Sequence, residues 1–277
     1  METLKNKIDF ALIFSVKNAN PNGDPLAGNR PRTTSDGLGE VSDVCLKRKL
    51  RNRLMSGDNE IFVQSDDNTV DGFKSLSERF NSFLKTLTNN ERSNKDMLKE
   101  KLCKKWIDVR SFGQVFAFKK QGEVDEVSLG VRGPVTIQSA FSLEPVIVES
   151  IQITKSANST VTETGKKSSD TMGMKHRIGN AIYVTYGSIS PQLSEKTGFS
   201  DEDAEKIKQA LATLFVDDES SARPSGSMEI LKLVWWKHNS KSGQYSSAKV
   251  HKSLSINSKG EITLDTLAGL VPELIEA

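Results

Sequence analysis

From Ile8 to Val16 every second residue is apolar: Ile8, Phe10, Leu12, Phe14 and Val16 fall on one side of an extended chain. A helix cannot keep a period of two, so the segment predicts a half-buried strand, and whatever else forms must pack against its apolar side. The next residues stop that strand. Asn18, then Asn20-Pro21-Asn22-Gly23-Asp24-Pro25, then Gly28-Asn29-Arg30-Pro31-Arg32 up to Gly39 concentrate residue types that reverse a chain and leave backbone groups exposed.

Ser42 reads as a helix N-cap, with Asp43 favourable in the first turn. Leu46, Leu50 and Leu54 repeat every fourth residue and predict the buried stripe of a helix ending near Met55, closed by Gly57. Residues 58–108 have the character of an insertion, polar at first and then helical through Phe73, Leu76, Phe80, Phe83, Leu84 and Leu87, with a lysine-rich helix expected over 94–106. Strands are predicted from Val109 to Phe118, Val131 to Phe141, Val146 to Thr154, Ala181 to Ser190 and Ile230 to Trp236. A helix capped by Ser200 is predicted from Asp201 to Phe215. Residues 155–174 are small and polar, the composition of a mobile hairpin tip. This order predicts an α+β domain spanning 1–277, a sheet with helices on one face.

Composition narrows the function. Lys+Arg number 38 against 36 Asp+Glu, a net charge of +2, so any affinity for nucleic acid must come from where the cations sit. Cys45 and Cys103 lie far apart, outside any CxxC pair, as expected of a protein in a reducing cytoplasm. The polar start predicts no signal peptide, and no apolar run approaches the roughly 20 residues of a membrane span.

Five cations, Lys47, Arg48, Lys49, Arg51 and Arg53, crowd one helix with no acid among them. Their mutual repulsion calls for an anion. A phosphate backbone would supply it, and a solvated helix face is the alternative. Arg30 and Arg32 in the preceding loop favour phosphate. Arg110-Ser111-Phe112-Gly113-Gln114-Val115 partly matches an RNA-recognition strand, but Phe112, Phe116 and Phe118 would share one strand face and are expected in the core. A second basic stretch holds Lys167, Met172, Met174, Lys175, His176 and Arg177. A methionine on such an arm can wedge between bases, and a loop without a role has the same composition.

Asp67 to Glu78 nearly spells a calcium loop, but Thr69 is a poor ligand there and the preceding segment is not a good helix. Gly165-Lys166-Lys167-Ser168 lacks the P-loop pattern, and His176, His238 and His251 lack metal-ligand spacing, so no metal or cofactor is expected. Asp24, Asp36 and Asp43 could activate a ribose hydroxyl or hold a metal, but turn and cap roles explain each of them.

The stretch from Phe10 to Pro25, FALIFSVKNANPNGDP, resembles the N-terminal signature of the type I CRISPR Cascade backbone subunit, Cas family seven, and within it subtype I-C. Ser42 to Asn52, Asp108 to Gly113, Gly130 to Ser139 and the Met172-Gly173-Met174 region follow in the family's order. The resemblance implies a modified RRM (ferredoxin-like) palm with a finger-like insertion at 58–108 and a thumb β-hairpin at 148–182. It implies a non-catalytic subunit, several copies of which stack head to tail on a CRISPR guide RNA and support pairing with target DNA beside other Cascade subunits. Carried over, Lys47, Arg48 and Arg51 would clamp phosphates, and Arg30 and Arg32 would line the same groove. Asn20, Asn22 and Gln114 would join the RNA surface, and the hairpin would add Lys167, Met172, Met174, Lys175, His176 and Arg177. The alternative within the same superfamily is a metal-dependent RNA endonuclease acting through Asp24 or Asp36. A third reading, a protein-only scaffold, leaves the basic helix facing solvent.

Overall fold

The computed structural model describes residues 2–118, 127–154 and 172–276. The first strand, β1 (Ile8–Ala19), forms where alternation demands it. A short ribbon follows, β2 (Gly23–Asp24) against β3 (Arg30–Pro31), then β4 (Leu38–Val41). Helix α1 (Asp43–Ser56) starts where the Ser42 hydroxyl accepts the Cys45 amide and ends at Gly57, as its sequence predicts. The insertion supplies α2 (Leu76–Lys85), α3 (Asn89–Ser93), α4 (Lys95–Lys105) and α5 (Ile107–Phe112).

Strands β5 (Gly113–Phe118), β6 (Val127–Arg132), β7 (Val135–Ile137), β8 (Ala140–Pro145), β9 (Val148–Thr154) and β10 (Met172–Ile189) come next. The chain then forms α6 (Pro191–Thr197), α7 (Asp201–Ala212), β11 (Met228–Lys237), α8 (Ser247–Lys252), β12 (Leu254–Ile256), β13 (Ile262–Leu264) and β14 (Glu273–Ile275). The central sheet is antiparallel in the order β14-β11-β1-β10-β8-β4, with β7 and β9 also pairing with β10.

The sheet is not covered on one face alone. Phe10, Leu12, Phe14 and Val16 pack with Leu46, Leu50 and Leu54 of α1 and with Ala204, Ile207 and Leu211 of α7. Ala11 and Ile13, on the other side of β1, are equally buried, under a second layer made by Val250, Leu254 and Leu270 of the C-terminal segment with Val234 and Trp236. The expected half-buried strand is therefore a central strand enclosed on both sides. Its polar-face position Asp9 is fully buried and answered by Lys7 and by His238, each at 2.9 Å.

Residues 109–118 correct a second expectation. The first part is α5, not strand. The Asp108 carboxylate accepts the Phe62 and Val63 amides, and Arg110 grips Asp203 with two hydrogen bonds of 2.9 and 2.7 Å, which holds this turn against α7. Gly113, at φ 80°, then turns the chain into β5. Strand β5 pairs with β6 outside the central sheet, and Phe116 enters a satellite core with Phe62, Phe80, Leu98, Leu102 and Trp106. Phe112 instead lies against the main core, so the three phenylalanines do not share a strand face. The stretch Val131 to Phe141, read as one strand, is broken into β6, β7 and β8, with Gly133-Pro134 between the first two.

Gly39 approaches the fully buried Tyr183 so closely that an added Cβ would lie 2.1 Å from its hydroxyl oxygen. Among the described residues that oxygen has no hydrogen-bond partner, so Tyr183→Phe should be nearly neutral. Gly39→Ala should lose about 1–3 kcal/mol by overpacking, and the double variant should recover part of it in urea melts.

The C-terminal layer carries a second prediction. His251 bonds the Gly187 carbonyl at 3.3 Å and lies on the Tyr186 ring. Burial pushes its imidazole below the ordinary value, with Asp9 and the Gly187 carbonyl opposing and Lys7 reinforcing the shift. The unfolded chain then protonates first as pH falls, so stability is present above about pH 6.5 and is lost below it. His251→Gln should flatten that acid loss in urea melts compared at about pH 5 and about pH 8.

Candidate nucleic-acid interface

Two sets of expected residues meet on one surface. The turn-rich loop folds back on itself as the β2–β3 ribbon, and β3 packs against β10. Asn20 fixes the ribbon by donating to the Asn29 carbonyl at 2.7 Å. Asn22 accepts both the amide and the hydroxyl of Ser42, at 3.0 and 2.9 Å, and so joins the loop to the cap of α1. Both asparagines therefore shape the loop. Asn20 is only 4% exposed, which places it behind the surface it supports.

Strands β9 and β10 form the antiparallel hairpin on the other side of the ribbon, with Met172 opposite Thr154 and Ile178 opposite Val148. Alternation sets His176, Met174 and Met172 on the side of Ser150 and Gln152, and Lys175 and Arg177 on the side of Glu149 and Ile151. Met172 and Met174 are 62% and 54% exposed, so neither is a core residue. Arg30 crosses from ribbon to hairpin, donating from Nη1 to the Ser150 hydroxyl at 2.8 Å, and that hydroxyl lies 2.9 Å from Nδ1 of His176. Arg32 is held by Asp24 at 3.5 Å and Arg177 by Glu149 at 2.8 Å. Lys167 lies outside the described residues. Gln114 sits apart from this group, on β5 of the satellite sheet, bonded to the Val115 carbonyl.

The basic helix differs from its sequence reading. Its cations do repel one another, but the fold supplies the anions. Lys47 pairs with Asp43, Arg48 with Asp67, Lys49 with Asp218, Arg51 with Asp108 and Arg53 with Asp217. Four of these aspartates come from other parts of the chain, so the charge run does not by itself require phosphate. The pairs are not equivalent. Arg48 and Asp67 are exposed, at a separation where an ion pair contributes about 0–1 kcal/mol and can be exchanged for a phosphate. Arg51 and Asp108 are 13% and 1% exposed at 3.0 Å, and the arginine also lies over the Phe112 ring. That guanidinium belongs to the packing between α1, α5 and the insertion.

The near-calcium segment is similarly occupied. Asp67 holds Arg48, Asp71 grips Arg79 through both oxygens, and the Glu78 carboxylate accepts the Lys74 amide. Asp24 caps its own turn by accepting the Leu26 amide at 3.1 Å. Ser150 was not legible as a site residue, because a serine alternating along a strand carries no signal of its partner 120 residues away. No helix among the described residues is long and apolar enough to cross a membrane.

Arg51→Ala should destabilise the chain by about 3 kcal/mol, because it leaves Asp108 buried without its countercharge. Lys47→Ala and Arg48→Ala should each change stability by less than about 1 kcal/mol in the same urea titration.

Comparison with known proteins places the chain. The family model Cas_Cas7, CRISPR-associated protein Cas7, matches residues 6–268, and the chain belongs to this family. A curated relative, CRISPR-associated protein Cas7 of Haloferax volcanii, is 24% identical in an alignment 222 residues long that covers 74% of this chain and 63% of the relative, so the chain spans less than two thirds of the relative's length. Among solved structures, a chain of "CRISPR RNA-guided surveillance complex, pre-nicking" is similar at 14% identity and a TM-score of 0.48, over 83% of this chain and 78% of that one. A chain of "CRISPR RNA-guided surveillance complex" is similar at 17% identity and a TM-score of 0.43, over 83% and 68%.

Proposed function

We propose that this member of the Cas7 family is a guide-RNA-binding backbone subunit of a type I CRISPR surveillance complex, of subtype I-C. Several copies stack head to tail on one guide RNA in the cytoplasm, alongside other Cascade subunits, and hold the guide for pairing with target DNA. The central sheet serves as a modified RRM palm, residues 58–108 as the finger and residues 148–182 as the thumb. The observation that carries this reading is the junction of loop and hairpin, where Arg30 reaches Ser150 beside His176 and the exposed Met172 and Met174 continue along the same face.

The chemistry suits a guide that must be held whatever its sequence. Such contacts go to phosphate and sugar, which arginine and lysine recognise without reading bases. Arg30, Arg32, Lys175, His176 and Arg177 supply cations and donors at the junction, and Lys47 and Arg48 extend them along α1. Lys167, and Gln114 on the separate β5–β6 sheet, are further proposed RNA contacts. A methionine on the hairpin supplies an apolar wedge at a break in base stacking. A modest groove repeated by each copy gives high total affinity without a large charge per subunit. The subunit performs no cleavage in this reading. Asp24 is engaged as a turn cap and as the partner of Arg32.

Arg30→Ala combined with Arg32→Ala should weaken binding of labelled single-stranded RNA at least about tenfold, equally for unrelated sequences. The slope of log affinity against log salt should fall by roughly 0.7 for each phosphate that the variant no longer neutralises. Unchanged affinity and slope would overturn the assignment. RNA cut at regular intervals, with cutting abolished in Asp24→Ala or Asp36→Ala, would establish the endonuclease alternative instead.

A further inference from the structure

We infer that Ser150 is a positioning residue that holds Arg30 and His176 together as one phosphate-binding constellation at the base of the hairpin. The inference rests on the RNA-binding reading above and adds to it a residue that neither loop nor basic helix would suggest.

A hydroxyl can serve both neighbours at once. The guanidinium of Arg30 only donates, so the Ser150 oxygen accepts from it at 2.8 Å. The serine keeps one proton and a second lone pair, so its 2.9 Å contact with Nδ1 of His176 serves either imidazole tautomer. With the hydroxyl donating to a neutral imidazole, the ring proton sits on Nε2, where it can donate to a ligand. Ser150 and His176 are directly opposite each other on β9 and β10, so the strand register holds both atoms and Arg30 arrives from β3. One hydroxyl thus joins three chain segments at the point where ribbon meets hairpin.

The choice of a hydroxyl matters electrostatically. Arg32 and Arg177 are each held by a carboxylate, Asp24 and Glu149, which offsets their charge. Among the described residues Arg30 has no carboxylate partner, and its anchor is neutral. A neutral acceptor restrains a long, flexible side chain while leaving its full charge available to a phosphodiester. A carboxylate in the same place would restrain it as well but cancel the charge. The serine is what combines order with charge.

The test measures binding of the full-length chain to fluorescein-labelled, unstructured single-stranded RNA at several salt concentrations. Ser150→Ala should lower affinity about fivefold, Ser150→Thr should bind within about twofold of the parent, and Ser150→Asp should bind about as weakly as Arg30→Ala. The deciding measurement is the double variant Ser150→Ala with Arg30→Ala, whose loss should fall clearly short of the sum of the two single losses, since much of the serine's effect passes through the arginine. Fully additive losses, or parental affinity for Ser150→Ala, would overturn the inference. If Arg30→Ala weakens binding while Ser150→Ala is silent, only the positioning role falls. A parent chain that binds no RNA removes both this inference and the proposed function.

Discussion

The buried carboxylate of Asp108 holds the molecule's parts in register. It receives Arg51 of α1 at 3.0 Å and two backbone amides, from Phe62 and Val63, at 2.8 and 3.0 Å. One group therefore connects the helix that lines the main core, the entry into the insertion and the turn that leaves it. An ionised carboxylate this deep is tolerable only with such a set of donors around it. With it in place, Ile107 and Val109 on either side enter the main and the satellite core respectively. The insertion is thus docked to α1 by chemistry as well as by apolar contact.

The same helix sets the loop. The Ser42 cap that starts α1 also donates to Asn22, and Asn20 holds Asn29, so the ribbon carrying Arg30 and Arg32 is fixed from its root. The hairpin is fixed from its own root, because β10 is one continuous strand running from the hairpin through the centre of the sheet beside β1. The backbones of ribbon and hairpin are therefore set by the core, and their side chains meet across a fixed gap. Ser150 makes the last connection across a gap the fold has already set.

Much of this frame could be read from the sequence because its signals are local. Alternation in β1, the Ser42 cap, the leucine stripe of α1 and the Ser200 cap of α7 all depend on neighbours within a few residues. What could not be read depends on distant partners. The cations of α1 looked unanswered because Asp67, Asp108, Asp217 and Asp218 lie far along the chain, and only the Asp43–Lys47 pair has helical spacing. Residues 109–118 looked like strand because Val109 and Phe112 are strand-prone, whereas the bonds made by Asp108 and Arg110 hold α5 in place. The second layer over β1 went unseen because α8, β12 and β13 are too short to leave a periodic signal. In the candidate interface, the loop arginines and hairpin residues were legible as basic and exposed, but their meeting through Ser150 was not.

The proposed function puts guide RNA across the junction of the β2–β3 ribbon and the β9–β10 hairpin. Ultraviolet crosslinking of the protein purified with its bound RNA, followed by mass spectrometry of the crosslinked peptides, tests this most directly. Nucleotide adducts are expected on peptides containing Arg30 or Arg32 and on peptides containing Met172 to Arg177. Adducts confined to surfaces away from that junction, or RNA that copurifies yet crosslinks to neither segment, would contradict it.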